Sequence, residues 1–416
     1  PARLFHLREK TMTENNALDA TCAHDTDGWF DRRTLLRLAA VGAASASVVG
    51  FGEAAPANAA SWTNALGKLK IGYLPITDAS PLLIGHAKGI FEEVGIKTEQ
   101  PKLFRSWPSL VEAFQAKQLD VVHLLMPLAL QLKFAAKQDI KVITWNHTNG
   151  SALTVNKSIN KFGELAGKTV AIPFWYSIHN VVLQQLFRAE GLTAITTGDA
   201  NAAKKTVKLV VLAPADMPTA LSNGQIAGYI VADPFNAVAE VKGIGKILRF
   251  TGDVWKEHAC CVTVVRGDLI KNNPSAAIAL TDAIVRAQLE LIKDRKGSAS
   301  LLSSKGYLPQ PLPAINKALN DYSTAEYKSA IKHPEWKSNR IDFKPFPFPS
   351  YTAALITELK KTKIDGDASF LSKINIKTAH KDLVAVGLAE AAIANNGGNA
   401  KFGLPAKLTR TEVIKP

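Results

Sequence analysis

Ile71-Gly72-Tyr73-Leu74-Pro75-Ile76-Thr77-Asp78-Ala79-Ser80-Pro81-Leu82 is the stretch whose reading decides the fold. Its first half reads as a short strand over 69–74, stopped at Pro75, which has no N–H to give a ladder. Its second half reads as the entry to a helix. Ser80 suits the cap, and Pro81 suits the first helical position, where a missing N–H costs nothing. A strand, a polar loop and a helix N-terminus in succession form the repeating unit of an α/β sheet.

The same unit recurs downstream. A helical stretch at 111–118 precedes a strand at 120–125, and Met126-Pro127 opens a helix before a strand at 141–145. After Val155 the pattern restarts. A strand at 168–173 leads through Trp175, Tyr176 and Ser177 into a helix at 178–189, which Gly191 closes. Strands follow at 208–212 and 226–231, with a helical stretch at 218–222 between them and the turn Asp233-Pro234 after them. A strand at 262–265 leads back towards the first unit. From Pro274 the chain is mainly helical, most clearly over 276–292, and 343–349 reads as a loop or docking segment. The fold class expected is α/β, in two lobes joined by a hinge with a cleft between them. Lobe one is expected at 60–152 plus 265–416, and lobe two at 153–264. Ligands of open α/β sheets sit beyond the carboxyl ends of the strands, where helix N-termini offer free N–H groups. The two loops that meet that description are 76–80 and 175–179.

Residues 1–59 stand apart from this pattern. Asp31-Arg32-Arg33-Thr34-Leu35-Leu36-Arg37 sets paired arginines before an apolar run rich in Ala, Gly, Ser and Val. Ala57 and Ala59 form an A-x-A cleavage site, so the segment is expected to be an export signal of the twin-arginine type. The location implied is the periplasm. No later run is apolar enough to cross a bilayer, so no membrane span is expected in the mature protein, which is read as a monomer. The formal charge is +14. Its lysines are spread rather than clustered, which argues against a nucleic-acid arm. Of three cysteines, Cys22 lies in the signal, leaving Cys260 and Cys261 and no disulfide framework.

At this point a resemblance emerges. The stretch 71–82 resembles the opening strand and loop of the nitrate/bicarbonate/sulfonate (NitT/TauT-type) substrate-binding proteins of ABC importers. Gly89-Ile90-Phe91, Ser106-Trp107, Asp120-Val121-Val122-His123, Asn149-Gly150-Ser151-Ala152-Leu153-Thr154 and Asp233-Pro234-Phe235-Asn236-Ala237 match further motifs in the same order. The resemblance covers nearly the whole of 60–416 and is strongest to the nitrate/bicarbonate branch. It implies a periplasmic-binding-protein fold, a small polar or anionic solute as ligand, a permease in the inner membrane as partner, and no cofactor or catalysis. In that branch the ligand is met by a Trp, a Gln, a His and a Lys. Here Trp107 and His179 stand at the first and third positions, Ser151 replaces the Gln, and Cys261 replaces the Lys. Loss of that lysine implies weak nitrate binding. It points to a larger, less charge-dependent solute, such as an organic anion or a small nitrogen- or sulfur-containing molecule.

The ligand-binding residues expected are Thr77, Asp78, Trp107, His147, Ser151, Tyr176, Ser177, His179, Asp233 and Cys261. For Thr77 and Asp78, capping the helix is the competing role, and for Asp233 it is holding a turn. His258-x-Cys260-Cys261 has the donor types of a copper(I) or zinc site. Adjacent cysteines on a strand face opposite ways, however, so no metal is expected there. Two other functions compete: a pyrimidine-precursor binding or synthesis protein of the same superfamily, and a periplasmic metal-binding protein. Against an enzyme stands the lack of any G-x-S-x-G, H-E-x-x-H or P-loop pattern.

Overall fold

The computed structural model describes residues 67–333, 336 and 339–416. The export signal expected at 1–59, with Cys22, lies outside the described residues. The opening strand forms as β1 (Ile71–Tyr73), followed by a 3-10 turn at Thr77–Ala79 and a helix at Ser80–Ala87 with Pro81 in its first turn. The helix cap expected of Ser80 is not made, because the 3-10 turn already carries the chain into the helix.

β1 lies in a five-stranded sheet of order β2-β1-β3-β12-β4. Its other strands are β2 (Lys102–Leu103), β3 (Val121–Leu125), β4 (Ile140–Trp145) and β12 (Cys261–Arg266). β1 runs parallel to β2 and β3, whereas β12 is antiparallel to both β3 and β4. A strand arriving from far along the sequence thus fills the centre of the first sheet. The second sheet has the order β11-β6-β10-β7-β9-β8. It contains β6 (Ser151–Val155), β7 (Thr169–Ile172), β8 (Thr193–Ile195), β9 (Thr206–Val211), β10 (Gly228–Ala232) and β11 (Lys246–Phe250). β7, β10 and β12 are buried along nearly their whole length, as strands covered on both faces must be. Among the described residues no helix is long and apolar enough to cross a membrane.

Two passages join the sheets, at 146–150 and at 251–260, and they run side by side. Asn149 donates its N–H to the His258 carbonyl at 2.9 Å, and the Glu257 N–H reaches Asn149 Oδ1 at 3.1 Å. Thr251 Oγ1 donates to the Ser151 carbonyl at 3.0 Å. The turn in the first passage needs left-handed backbone at Asn149 (φ 61°) and Gly150 (φ 79°). A Cβ at Gly150 would stand 3.0 Å from Ile341 and 3.2 Å from the His147 ring, so glycine is required there on two counts. β5 (Thr148–Asn149) in this passage pairs with β13 (Ile341–Asp342) from the C-terminal region.

Strand pairing puts the crossings at other positions than 152/153 and 264/265. Ser151 and Ala152 pair with β10 and so belong to the second sheet, and 261–264 pair within the first. The C-terminal region also departs from an assignment to lobe one alone. Helix Pro274–Lys293 packs on helix Ser80–Ala87 of the first lobe. Helix Leu312–Leu319 packs instead on Phe235–Val241 of the second. Glu358, in helix Pro349–Leu359, bonds to Gln185 and Arg188 of Ile178–Ala189. A helical pattern shows that a face is apolar, and the uncovered surface within reach then selects the partner. One apolar core accordingly runs from Leu74 and Val122 through Cys261 and Tyr351 to Val170 and Ile230.

Candidate functional site

Both joining passages and several strand and helix starts place polar side chains in the same interior volume. The 3-10 turn delivers Asp78, β3 delivers His123, and the first passage delivers His147. β6 delivers Ser151, helix Ile178–Ala189 delivers His179, the second passage delivers Cys260, and β12 opens with Cys261. All seven are at most 1% exposed. The structure therefore unites Asp78, His147, Ser151, His179 and Cys261 from the residues expected at the site, and adds His123 and Cys260.

The two cysteines do not face opposite ways. β12 begins at Cys261, so Cys260 sits just before the pleat sets in, and the two Sγ atoms lie 3.8 Å apart. The alternation rule holds inside a strand and lapses at its first residue. Cys260 Sγ is also 3.8 Å from His179 Nε2, which bonds Ser151 Oγ at 2.9 Å. His147 Nε2 lies 2.8 Å from Asp78 Oδ2 and 3.2 Å from the Cys261 N–H. One ring nitrogen cannot both donate to the carboxylate and accept from the amide. The neutral ring accepts from the amide through this nitrogen, and the protonated ring donates from it to Asp78. Donor atoms of Asp78, His147, Cys260 and Cys261 all stand within 4.8 Å of one another.

Burial sets the electrostatics. It pushes the Asp78 carboxyl up towards the neutral form, against the pull of His147. Burial disfavours charge on His147 too, but the neighbouring Asp78 and Cys260 overcome it and raise the imidazole. Burial likewise raises the Cys260 thiol, yet the Cys261 thiol and the imidazoles of His179 and His147 bring it well below the ordinary thiol range. Cys261 is pushed up by burial and by Cys260. The pair thus favours thiolate on Cys260 over Cys261, and the thiolate is the form that binds metals. Desolvation keeps His123 neutral, down to about 3, and His258 down to about 4.

Of the other expected residues, Trp107 borders the cluster and the rest are engaged elsewhere. Thr77 spans the lobes, with its N–H and Oγ1 both donating to the Asp233 carbonyl at 2.8 and 3.0 Å. Trp107 tilts against His123 at 5.3 Å and walls the cluster. Tyr176 donates its hydroxyl to the Asp367 carbonyl at 2.9 Å, which turns it towards the C-terminal region. Ser177 caps its helix, with Oγ accepting the Asn180 N–H at 3.1 Å. The Asp233 carboxylate is held by Arg340, with Nη2 2.9 Å from Oδ1. His258 bonds Thr251 at 2.8 Å and lies outside the four-donor group, contrary to the grouping suggested by its place beside Cys260. A signal for His123 existed in the sequence: a lone histidine inside Val-Val-His-Leu-Leu is rarely placed in a buried strand without a polar partner.

A family model described as the NMT1-like family matches residues 64–301. The nitrate/nitrite binding protein NrtA of Nostoc sp. (strain PCC 7120) is 25% identical over 381 residues, 82% of this chain and 83% of its own length. The ligand binding component of an ABC-type import system from Staphylococcus aureus, solved with zinc bound, aligns with TM-score 0.59 and 25% identity. That alignment covers 78% of this chain and 98% of the other. The periplasmic nitrate-binding protein NrtA of Synechocystis PCC 6803 aligns with TM-score 0.67 at 19% identity, over 83% and 93% of the two chains.

Proposed function

Because the chain belongs to the NMT1-like family, we propose that it is the NitT/TauT-type solute-binding component of an ABC importer. It captures a small solute between its lobes and hands it to a permease in the inner membrane. The observation that carries this reading is the buried cluster itself. Its donors come from both sheets and both joining passages, so a ligand there touches both lobes and favours their closed arrangement. The relatives named above support the class, since one binds nitrate or nitrite and another belongs to an import system. Export by the twin-arginine route into the periplasm, suggested by the paired arginines at 32–33, completes the reading. Catalysis has no part in it.

Nitrate is a poor ligand on this reading. Where the resemblance implies a lysine, Cys261 offers a sulfur, and a charge-assisted hydrogen bond of about 1.5–3 kcal/mol is missing. That is about one to two decades of affinity. Mass spectrometry of what freshly purified protein releases on denaturation is expected to find one solute per chain. Calorimetry at neutral pH is expected to show nitrate binding weaker than micromolar. A protein that releases no solute and supports no permease-dependent uptake would overturn the proposal.

A further inference from the structure

We propose that Asp78, His147, Cys260 and Cys261 form a four-coordinate site for one d10 metal ion, zinc(II) or copper(I), between the lobes. The inference rests on the reading of the interlobe cluster as the capture site, and it names the class of solute held there. Two sulfurs, an imidazole nitrogen and a carboxylate oxygen make a donor set suited to borderline and soft cations, not to calcium or magnesium.

The spacing agrees with the chemistry. Two thiolates each about 2.3 Å from a tetrahedral ion stand about 3.8 Å from each other. Cys260 Sγ and Cys261 Sγ are 3.8 Å apart. All four donors lie within 4.8 Å of one another, a span that one ion bridges and a larger organic solute does not. The ligands come from the 3-10 turn, both joining passages and the start of β12, so loading the site ties together the parts that must move on closure.

A second, independent observation points the same way. Asp78 is fully buried with Oδ2 2.8 Å from His147 Nε2, an atom that also faces the Cys261 N–H, and Oδ1 has no hydrogen-bond partner of its own. Buried polar atoms without partners are rare because they lose water and gain nothing. A cation supplies what the Asp78 carboxylate lacks. Around the four donors, His179 stands 3.8 Å from Cys260 Sγ and is itself held by Ser151, as the outer partners of metal ligands are.

The test uses the mature chain, purified under reductant without oxygen and titrated with cobalt(II) as a coloured stand-in for zinc. One equivalent is expected to give a thiolate-to-cobalt charge-transfer band with the strong visible absorption of a tetrahedral site, and zinc is expected to bleach it. Cys260→Ser and Cys261→Ser are each expected to lose about half the charge-transfer intensity and to weaken binding about 100-fold or more. Asp78→Asn, which removes no sulfur, is expected to keep the band at lower affinity, so a misfolded cysteine variant does not end the test. His380→Gln, in helix Ile376–Leu383 and outside the four-donor group, is expected to titrate like the parent. Competition with a copper(I)-specific chelator decides between the two ions. Weak octahedral absorption without a charge-transfer band, or binding indifferent to both serine variants, would overturn the metal site. An organic solute released together with a metal-blind titration overturns this inference alone and leaves the capture reading standing.

Discussion

At the scale of single residues, chemistry and stability divide cleanly. Asp233 and Ser177, both expected at the ligand, each make a bond that holds the fold. Arg340 sits buried between Asp233 and Glu240, with Nη1 2.8 Å from Glu240 Oε2. Arg340→Met leaves two carboxylates without their cation, and a loss of about 3–5 kcal/mol is expected in urea unfolding. The further change Asp233→Asn in that background is expected to restore part of it. Ser177→Ala removes a helix cap and is expected to cost about 1 kcal/mol. Affinity for the captured solute is expected to stay unchanged, because the hydroxyl is spent on Asn180 and on the Phe174 carbonyl. A drop in affinity in the serine variant, with stability intact, would return Ser177 to the binding site. These roles were hard to read from sequence, since a capping serine and a ligand-binding serine occupy the same helix-start position. What separates them is a bond to Asn180 and a distant arginine, and neither is local.

Elements were the most legible scale. Pro75, Pro81 and Gly191 punctuate the chain as backbone chemistry requires, and the strands near 71, 121, 170 and 208 lie between such signals. The start of β12 was legible only to within a residue or so, and that residue decides where Cys260 points. Helix Ile376–Leu383 carries a pH-dependent contact that no pattern discloses. His380 Nδ1 pairs with Thr352 Oγ1 of the neighbouring helix at 2.8 Å. Burial, with Lys141 nearby, lowers this histidine to about 4. The folded state holds it neutral while the unfolded chain takes up a proton below about 6.5. Stability therefore falls as pH drops through the window from about 6.5 to about 4. Allowing for the partial exposure of the residue, about 1–2 kcal/mol should be lost between pH 7 and pH 5. Urea midpoints of His380→Gln at the two pH values are expected to differ less than those of the parent. In the first joining passage, Gly150→Ala forces a side chain into left-handed backbone against Ile341 and His147. It is expected to cost about 1–3 kcal/mol, measured by the shift of the urea midpoint.

For the whole molecule, the two-sheet plan was visible in the restart of the pattern after Val155 and in the returning strand. The path of the C-terminal region was not visible, because apolar helix faces do not say which lobe will cover them. Thr77 makes two polar contacts across the cleft. Thr77→Val deletes the Oγ1 bond and keeps the shape, a loss of about 0.5–1.5 kcal/mol to the closed arrangement alone. Solution X-ray scattering is expected to show a larger radius of gyration for the variant without ligand. Its apparent affinity for the solute is expected to fall about 2- to 10-fold, in proportion to the closed fraction. Equal scattering curves for variant and parent would show that the apolar core between the lobes, not Thr77, holds them shut.

The pairing of Ile341–Asp342 with Thr148–Asn149 bears on how such a clamp can swing. Two chain passages side by side define a door hung on two pins, free to twist as well as to open. The C-terminal region adds a third attachment along the same edge and then grips both leaves, through Arg340 on one side and helix Pro274–Lys293 on the other. Three attachments in a row leave rotation about their common line as the soft motion and make twist stiff. The surface offered to a docking partner is then governed by a single angle. Open and shut differ along one coordinate, and an intermediate angle reports partial occupancy instead of a different shape.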